Sequence, residues 1–300
     1  MLMLEVNMKP VAYSERVTVY CPENSKFSFF NSPYPAHLAF SAVDIYSGSV
    51  FGGTAPSPVH GKVVGIRKVK CPEQSFECSS FDYVILLQSS ENFEKHIKIL
   101  HVKPTVKVGD VVKPGDQLGF LLRSGFFDFW TEPHMHIEVR KPSDPIRARG
   151  GLKFERLMAI ENFETKPEEL RGVVFESKRE YSLLVLHGTF NHGIPVRVGE
   201  EMGLLDGGIP HYKWFGVHMA SSQPPLNSVV KLCGAKIGTV KALYSKMCAS
   251  QCSDLTFKIN GKPVSLGFYL HLSKPLVKII PKSIGALKLE KFDEVAIAIS

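Results

Sequence analysis

Helical periodicity is scarce in this 300-residue chain, and short strand-like runs bounded by turn residues take its place. Gly61 to Val69, Asp82 to Gln88, His96 to Val102 and His134 to Arg140 are β-branched or alternate apolar with polar, and Gly, Pro, Asn or Ser closes each of them. Runs of that length cannot bury an apolar stripe as helices, so the first half reads as all-β. Only Leu152 to Phe163 and Lys166 to Leu170 suggest helix, the latter because Thr165, Glu168 and Glu169 imitate a helix start ahead of Gly172. The expected organisation is therefore a β domain over 1–150, a linker or short helix over 151–170, and a second β-rich domain over 171–300.

The second half echoes the first. Gly61-Lys62-Val63-Val64, Cys71, Cys78 and Ile99 to Pro104 are answered by Gly238-Thr239-Val240-Lys241, Cys248, Cys252 and Tyr269 to Pro275. Two readings stay open: a degenerate, rearranged copy of the first half, or chance similarity between β-rich stretches.

Composition narrows the function classes. With 44% hydrophobic and 22% charged residues, the chain has the content of a globular protein and not of a disordered one. No apolar run approaches the ~18 residues of a membrane-spanning helix. Residues 1–10 carry Glu5 and Asn7 where a secretory leader needs an apolar core, so the chain as written reads as cytoplasmic, or extracellular if it has been trimmed. The formal charge of +7 is concentrated late: Gly207 to Lys291 holds twelve Lys, no Arg, and only Asp254 and Glu290 as acids. Isolated Lys on strand faces without Arg is the pattern of solubility and edge protection, not a strong nucleic-acid signal. The six Cys match no paired zinc-ligand spacing.

Chemistry gathers in Thr131 to Arg140. On a period-two strand His134, His136, Glu138 and Arg140 share one face, and Met135, Ile137 and Val139 share the other. Two imidazoles at i and i+2 address one metal neighbourhood, and an adjacent carboxylate can orient a ring through its second nitrogen. His37, Asp44 and His101 complete the candidate set. Two imidazoles and a carboxylate leave a fourth position open on a tetrahedral zinc ion, as hydrolytic sites require. Upstream of the pair, Lys107-Val108-Gly109-Asp110 recurs as Lys113-Pro114-Gly115-Asp116, two Gly-Asp turns bracketing a short strand.

Taken in order from Pro35 to Pro142, these residues resemble the lysostaphin-type zinc metallopeptidases, also called the duplicated hybrid motif or barrel-sandwich hybrid fold. The resemblance is carried by Ala42-Val43-Asp44-Ile45, Ala55 to Val64, Tyr83 to Leu86, Leu100-His101-Val102, the paired Gly-Asp turns and Pro133 to Arg140. It implies zinc held by His37, Asp44 and His136, with His101 and His134 acting on substrate and water. It also implies hydrolysis of a peptide or peptidoglycan-like substrate; a catalytically inactive member would instead serve as a polymer- or protein-binding module. The chain departs from the family at one ligand: the usual first His stands four residues before the Asp, a position held here by Phe40. His37 stands seven residues before Asp44, and on an uninterrupted strand the two would face opposite sides. Both reach one metal only if the chain loops or bulges between them.

Overall fold

The computed structural model describes residues 6–160, 163 and 166–300, and it is all-β, with 49% of residues in strands and 1% in helix. Its contacts divide into two compact units, residues 1–27 with 34–158 and residues 28–33 with 159–300. The first five residues, Glu5 among them, lie outside the described residues.

In the first unit Val111–Val112, Gly61–Lys70, Phe81–Ser89, His96–Leu100, Met135–Arg140 and Val43–Tyr46 are neighbours in that order, each antiparallel to the next. A three-stranded sheet of Thr54–Pro56, Gln117–Leu121 and Val102–Pro104 accompanies it. The expected Gly-Asp turns form as a matched pair. Gly109 and Gly115 take φ of 103° and 95°, a region open to glycine, and the Asp110 and Asp116 carboxylates each accept the N–H three residues back, at 2.7 Å from Lys107 and Lys113.

Met135–Arg140 is buried along its whole length. Met135, Ile137 and Val139 are fully enclosed, as alternation requires. The opposite face carries too much charge for an apolar core, yet it is just as buried and is held by ion pairs: Lys98 Nζ and Arg140 Nη1 each lie 2.7 Å from a different oxygen of Glu138. Register then sets the site, because His136 stands directly opposite Asp44 on one neighbouring strand and opposite Leu100 on the other.

In the second unit the strands close into two rings of six, the second built from segments that flank the first along the chain. Ile194–Val198, Val229–Leu232, Ala235–Tyr244, Met247–Cys252, Trp214–Met219 and Glu201–Ile209 close when the last pairs back onto the first. Lys262–Phe268, Phe257–Ile259, Glu294–Ile299, Leu170–Ser177, Ser182–Leu186 and Val277–Pro281 close in the same way. Closure leaves no unpaired sheet edge, and the enclosed space is filled by a continuous core including Leu205, Phe215, Phe257 and Phe268. The echoed positions occupy different places in the two units. Cys71 stands just past the end of Gly61–Lys70, whereas Cys248 lies within Met247–Cys252, opposite Val217. All six cysteines are free thiols.

Of the linker or short helix expected over 151–170, no helix forms among the described residues, and the boundary between the two units falls within the span. Leu152 and Phe154 donate their N–H groups to the carbonyls of Val139 and Phe40, and Glu155–Arg156 pairs with Met8–Ser14. Backbone groups committed to strand partners cannot close helical hydrogen bonds. Glu161, Asn162, Glu164 and Thr165, part of that expectation, lie outside the described residues.

Candidate metal centre

His37 sits on the one turn of helix in the molecule's described residues, Pro35–Leu38. Pro35 opens that turn without forfeiting a needed hydrogen bond, since the first N–H groups of a helix have no internal partner. The turn ends at Ala39, and Phe40 follows at φ 59°, a left-handed conformation rare for a bulky residue. That reversal resolves the seven-residue spacing: His37 and Asp44 are not on one strand, so strand alternation does not apply to them. Phe40 itself is buried and marks the corner.

Three ligating atoms converge. His37 Nε2 lies 3.1 Å from His136 Nδ1 and 3.3 Å from Asp44 Oδ1, and His136 Nδ1 lies 2.9 Å from Asp44 Oδ1. Bonds of ~2.0–2.1 Å to a tetrahedral zinc place its ligand atoms roughly 3.3 Å apart, so the triangle is close to the size such an ion needs. Among the described residues His37, Asp44 and His136 form a group able to hold a metal ion. A second observation fits the same group: Asp44 Oδ2, fully buried, accepts no hydrogen bond. A buried carboxylate oxygen without a donor is costly unless a cation completes it.

The electrostatics follow from the packing. Burial alone would raise the Asp44 carboxyl, but the neighbouring His37 and His134 and the hydrogen bonds from His136 and His37 hold it well below the usual carboxylate range. Burial opposes a charge on His136, yet its bonds to Asp44 and Glu138 push it up to about 9. Burial likewise opposes the Glu138 charge, and His136 and Lys98 pull it down to about 2. Glu138 Oε1 lies 3.2 Å from His136 Nε2, so the ring's far nitrogen is gripped by a carboxylate that two cations fix in place.

His134 and His101 stand beside this triangle and are not part of it. His134 Nε2 is 3.7 Å from Asp44 Oδ2, and its Nδ1 donates to the Glu132 carbonyl at 2.9 Å. Burial drives His134 down to about 4. The His101 ring lies 5.2 Å from that of His134 and 6.3 Å from that of His136, centroid to centroid. His101 and His134 are buried at 8% and 7% exposure, against 0–3% for the three convergent residues, so the little exposure the cluster has falls on these two imidazoles. Phe127 packs on both, and Tyr46 and Tyr34 cover His134 and His136.

Comparison with known proteins adds two findings. Residues 17–156 match the family model described as "Domain of unknown function (DUF8155) N-terminal domain". The solution structure of lysostaphin is similar at 16% identity and a TM-score of 0.28, over 91% of this chain and 96% of that one. No curated protein matches.

Several contributors carry no motif of their own. Asp82 accepts from His101 Nδ1 at 2.6 Å, Ser124 Oγ donates to the same Asp82 oxygen at 2.6 Å, and Lys98 anchors Glu138. Asp82 leaves a trace in the sequence: it occupies the same alternating face as Val84 and Leu86, where an apolar residue is expected. Among the described residues the second unit offers no metal-binding group, and its His218 bonds Asp206 at 3.0 Å in full burial.

Proposed function

We propose that the first unit is a metal-dependent hydrolase of amide bonds, with zinc as the ion and a peptide as the substrate. The observation that carries this reading is the convergence of His37 Nε2, Asp44 Oδ1 and His136 Nδ1 beside two further imidazoles, the more exposed members of the cluster. Nitrogen and carboxylate donors with a position to spare suit a hydrolytic zinc site better than calcium or magnesium, which take oxygen ligands in larger number. A divalent cation held there polarises a carbonyl and lowers the pKa of water to ~7.

This chain's own residues supply the rest. His101 and His134 each have Nδ1 engaged by an oxygen acceptor, which leaves Nε2 of the neutral ring as the free lone pair. One of the two takes the proton of the attacking water and returns it to the leaving amine, and the other faces the developing oxyanion. Glu138 keeps the His136 ring turned toward Asp44. Tyr34, Tyr46 and Phe127 wall the histidines with apolar surface, which strengthens the electrostatic interactions beside them.

The choice of a peptide rests on the resemblance of the ordered motifs to lysostaphin-type metallopeptidases. The test is to strip the full chain with chelator, reload it with zinc, and assay a panel of fluorogenic peptides that includes glycine-rich and peptidoglycan-like crosslinks. Zinc-dependent cleavage that disappears in Asp44→Ala supports the reading. Full zinc occupancy with saturable polymer binding and no cleavage overturns it in favour of a binding module.

A further inference from the structure

The two imidazoles outside the metal triangle differ in what stands behind them. Behind His134 is a backbone carbonyl, that of Glu132. Behind His101 is a fully buried carboxylate, and the contact is made twice: Asp82 Oδ2 takes the ring Nδ1 at 2.6 Å, and Asp82 Oδ1 takes the His101 backbone N–H at 3.0 Å. The same carboxylate accepts the Tyr83 N–H at 2.6 Å and the Ser124 hydroxyl at 2.6 Å, so both its oxygens are satisfied. Such a carboxylate has no freedom to rotate.

The backbone at His101 carries a second mark. His101 stands between the strands His96–Leu100 and Val102–Pro104 at φ 70°, a left-handed conformation that costs a non-glycine residue stability. The His101 carbonyl accepts from the Leu122 N–H at 2.9 Å, which closes the corner from the other side. A strained backbone held by bonds on both its amide and its carbonyl, with the ring gripped by the same carboxylate that holds the amide, is over-determined in a way that a strand end does not require.

We infer that Asp82 is the positioning residue of the proposed reaction, fixing His101 as the Nδ1–H tautomer so that its Nε2 lone pair is presented to substrate and water, and thereby making His101 the proton-handling imidazole of the pair. The inference rests on the hydrolase reading for its catalytic half and on geometry alone for its tautomeric half. Nδ1–H stays donated to Asp82 throughout: as the water oxygen bonds to the scissile carbonyl carbon its proton passes to His101 Nε2, and as the C–N bond breaks that proton passes to the leaving amine. The carboxylate stabilises the imidazolium that exists between those two transfers, a service a neutral carbonyl provides less well. By exclusion His134 is the imidazole that faces the oxyanion.

Asp82→Asn separates position from shape. The amide keeps an oxygen for the Tyr83 and His101 N–H groups and turns its NH₂ toward the ring, so the His101 proton is driven from Nδ1 to Nε2. The experiment uses the zinc-loaded full chain, ¹⁵N-labelled at histidine, and reads the protonated nitrogen of His101 from its long-range ¹H–¹⁵N correlations. The expected result is Nδ1–H in the parent, Nε2–H in Asp82→Asn, and Nδ1–H retained in Ser124→Ala, which leaves both His101 bonds standing. Against a peptide substrate, Asp82→Asn lowers kcat by ~10²–10⁴-fold with KM unchanged and zinc retained. An Nε2–H ring in the parent, or an Nδ1–H ring in Asp82→Asn, overturns the inference. So does full kcat in an Asp82→Asn protein whose tautomer has switched. The tautomer is read without substrate, so a chain that cleaves no peptide sinks the hydrolase reading while the Asp82 contact still stands or falls on the NMR spectrum.

Discussion

His37 Nε2 and His136 Nδ1 lie 3.1 Å apart although 99 residues of chain separate them, one on a single helical turn and the other in the middle of a buried strand. Neither nitrogen can donate to the other if both are to serve as ligands, so with a cation bound the contact would be that of two lone pairs directed at one ion. His37→Ala and Asp44→Ala are each expected to abolish stoichiometric zinc binding, read by elemental analysis after gel filtration. His96→Ala, whose ring lies at the far end of its strand, keeps one zinc per chain.

Removing either imidazole beside the triangle, His101 or His134, takes away none of its three converging atoms. His134→Ala and His101→Asn are expected to lower peptide turnover by ~10²–10⁴-fold with zinc still bound, asparagine being chosen at 101 because it tolerates the left-handed φ of 70°. Loss of zinc in the His101 variant would show that ligand and catalyst have been assigned in reverse.

Glu138 bridges Lys98, Arg140 and His136 inside the first unit, where both cations are almost wholly enclosed. Glu138→Ala takes the carboxylate partner from buried Lys98 and leaves Arg140 only its Asp144 pair, and is expected to cost ~3–5 kcal/mol, measured by urea unfolding. Glu138→Gln keeps a hydrogen-bond acceptor for the ring and is expected to weaken zinc binding by ~10–100-fold, as loss of a carboxylate behind a ligating histidine does elsewhere.

Asp82 makes the stability of the first unit depend on acid. Its burial raises the carboxyl, but His101, Ser124 and the Tyr83 N–H together hold it below the usual value. A carboxyl depressed in the folded state contributes its full stabilisation above the unfolded pKa of ~3.9 and loses it as pH falls through the lower folded value. Unfolding free energy between pH 6 and pH 2 should therefore fall less steeply in Asp82→Asn than in the parent.

In the second unit Asp206 is fully buried and accepts from Ser28 Oγ, from the Phe29 N–H at 2.7 Å and from His218 at 3.0 Å. Asp206→Ala removes one buried acceptor from each of those donors, at up to ~1–3 kcal/mol for each. Its thermal transition is expected to drop by several degrees, whereas Asp206→Asn, which keeps one acceptor oxygen, drops less.

Much of the site is legible in the residues themselves because strand geometry is local. Alternation puts His134, His136, Glu138 and Arg140 on one face, and the turn chemistry of Lys107 to Asp116 announces two matched corners that the structure forms. The same local logic leaves linker and short helix both open over 151–170, where Leu152 and Phe154 commit their N–H groups to distant carbonyls that no local pattern announces. It fails to give Glu138 its partners: Lys98 is 40 residues away and looks in sequence like one more solvated lysine.

An all-β chain and a strand that sets His134, His136, Glu138 and Arg140 on one face follow from residue types and a two-residue period, which need no knowledge of what packs against them, whereas Asp44 enters through the resemblance of the ordered motifs. Whether His37 could join them did not follow, because the left-handed corner at Phe40 is held by packing around a buried ring and not by its own preference. The Asp82–His101 contact and the strand order that sets Asp44 opposite His136 likewise exist only after chain closure, since each joins segments whose sequences carry no record of their distance in space.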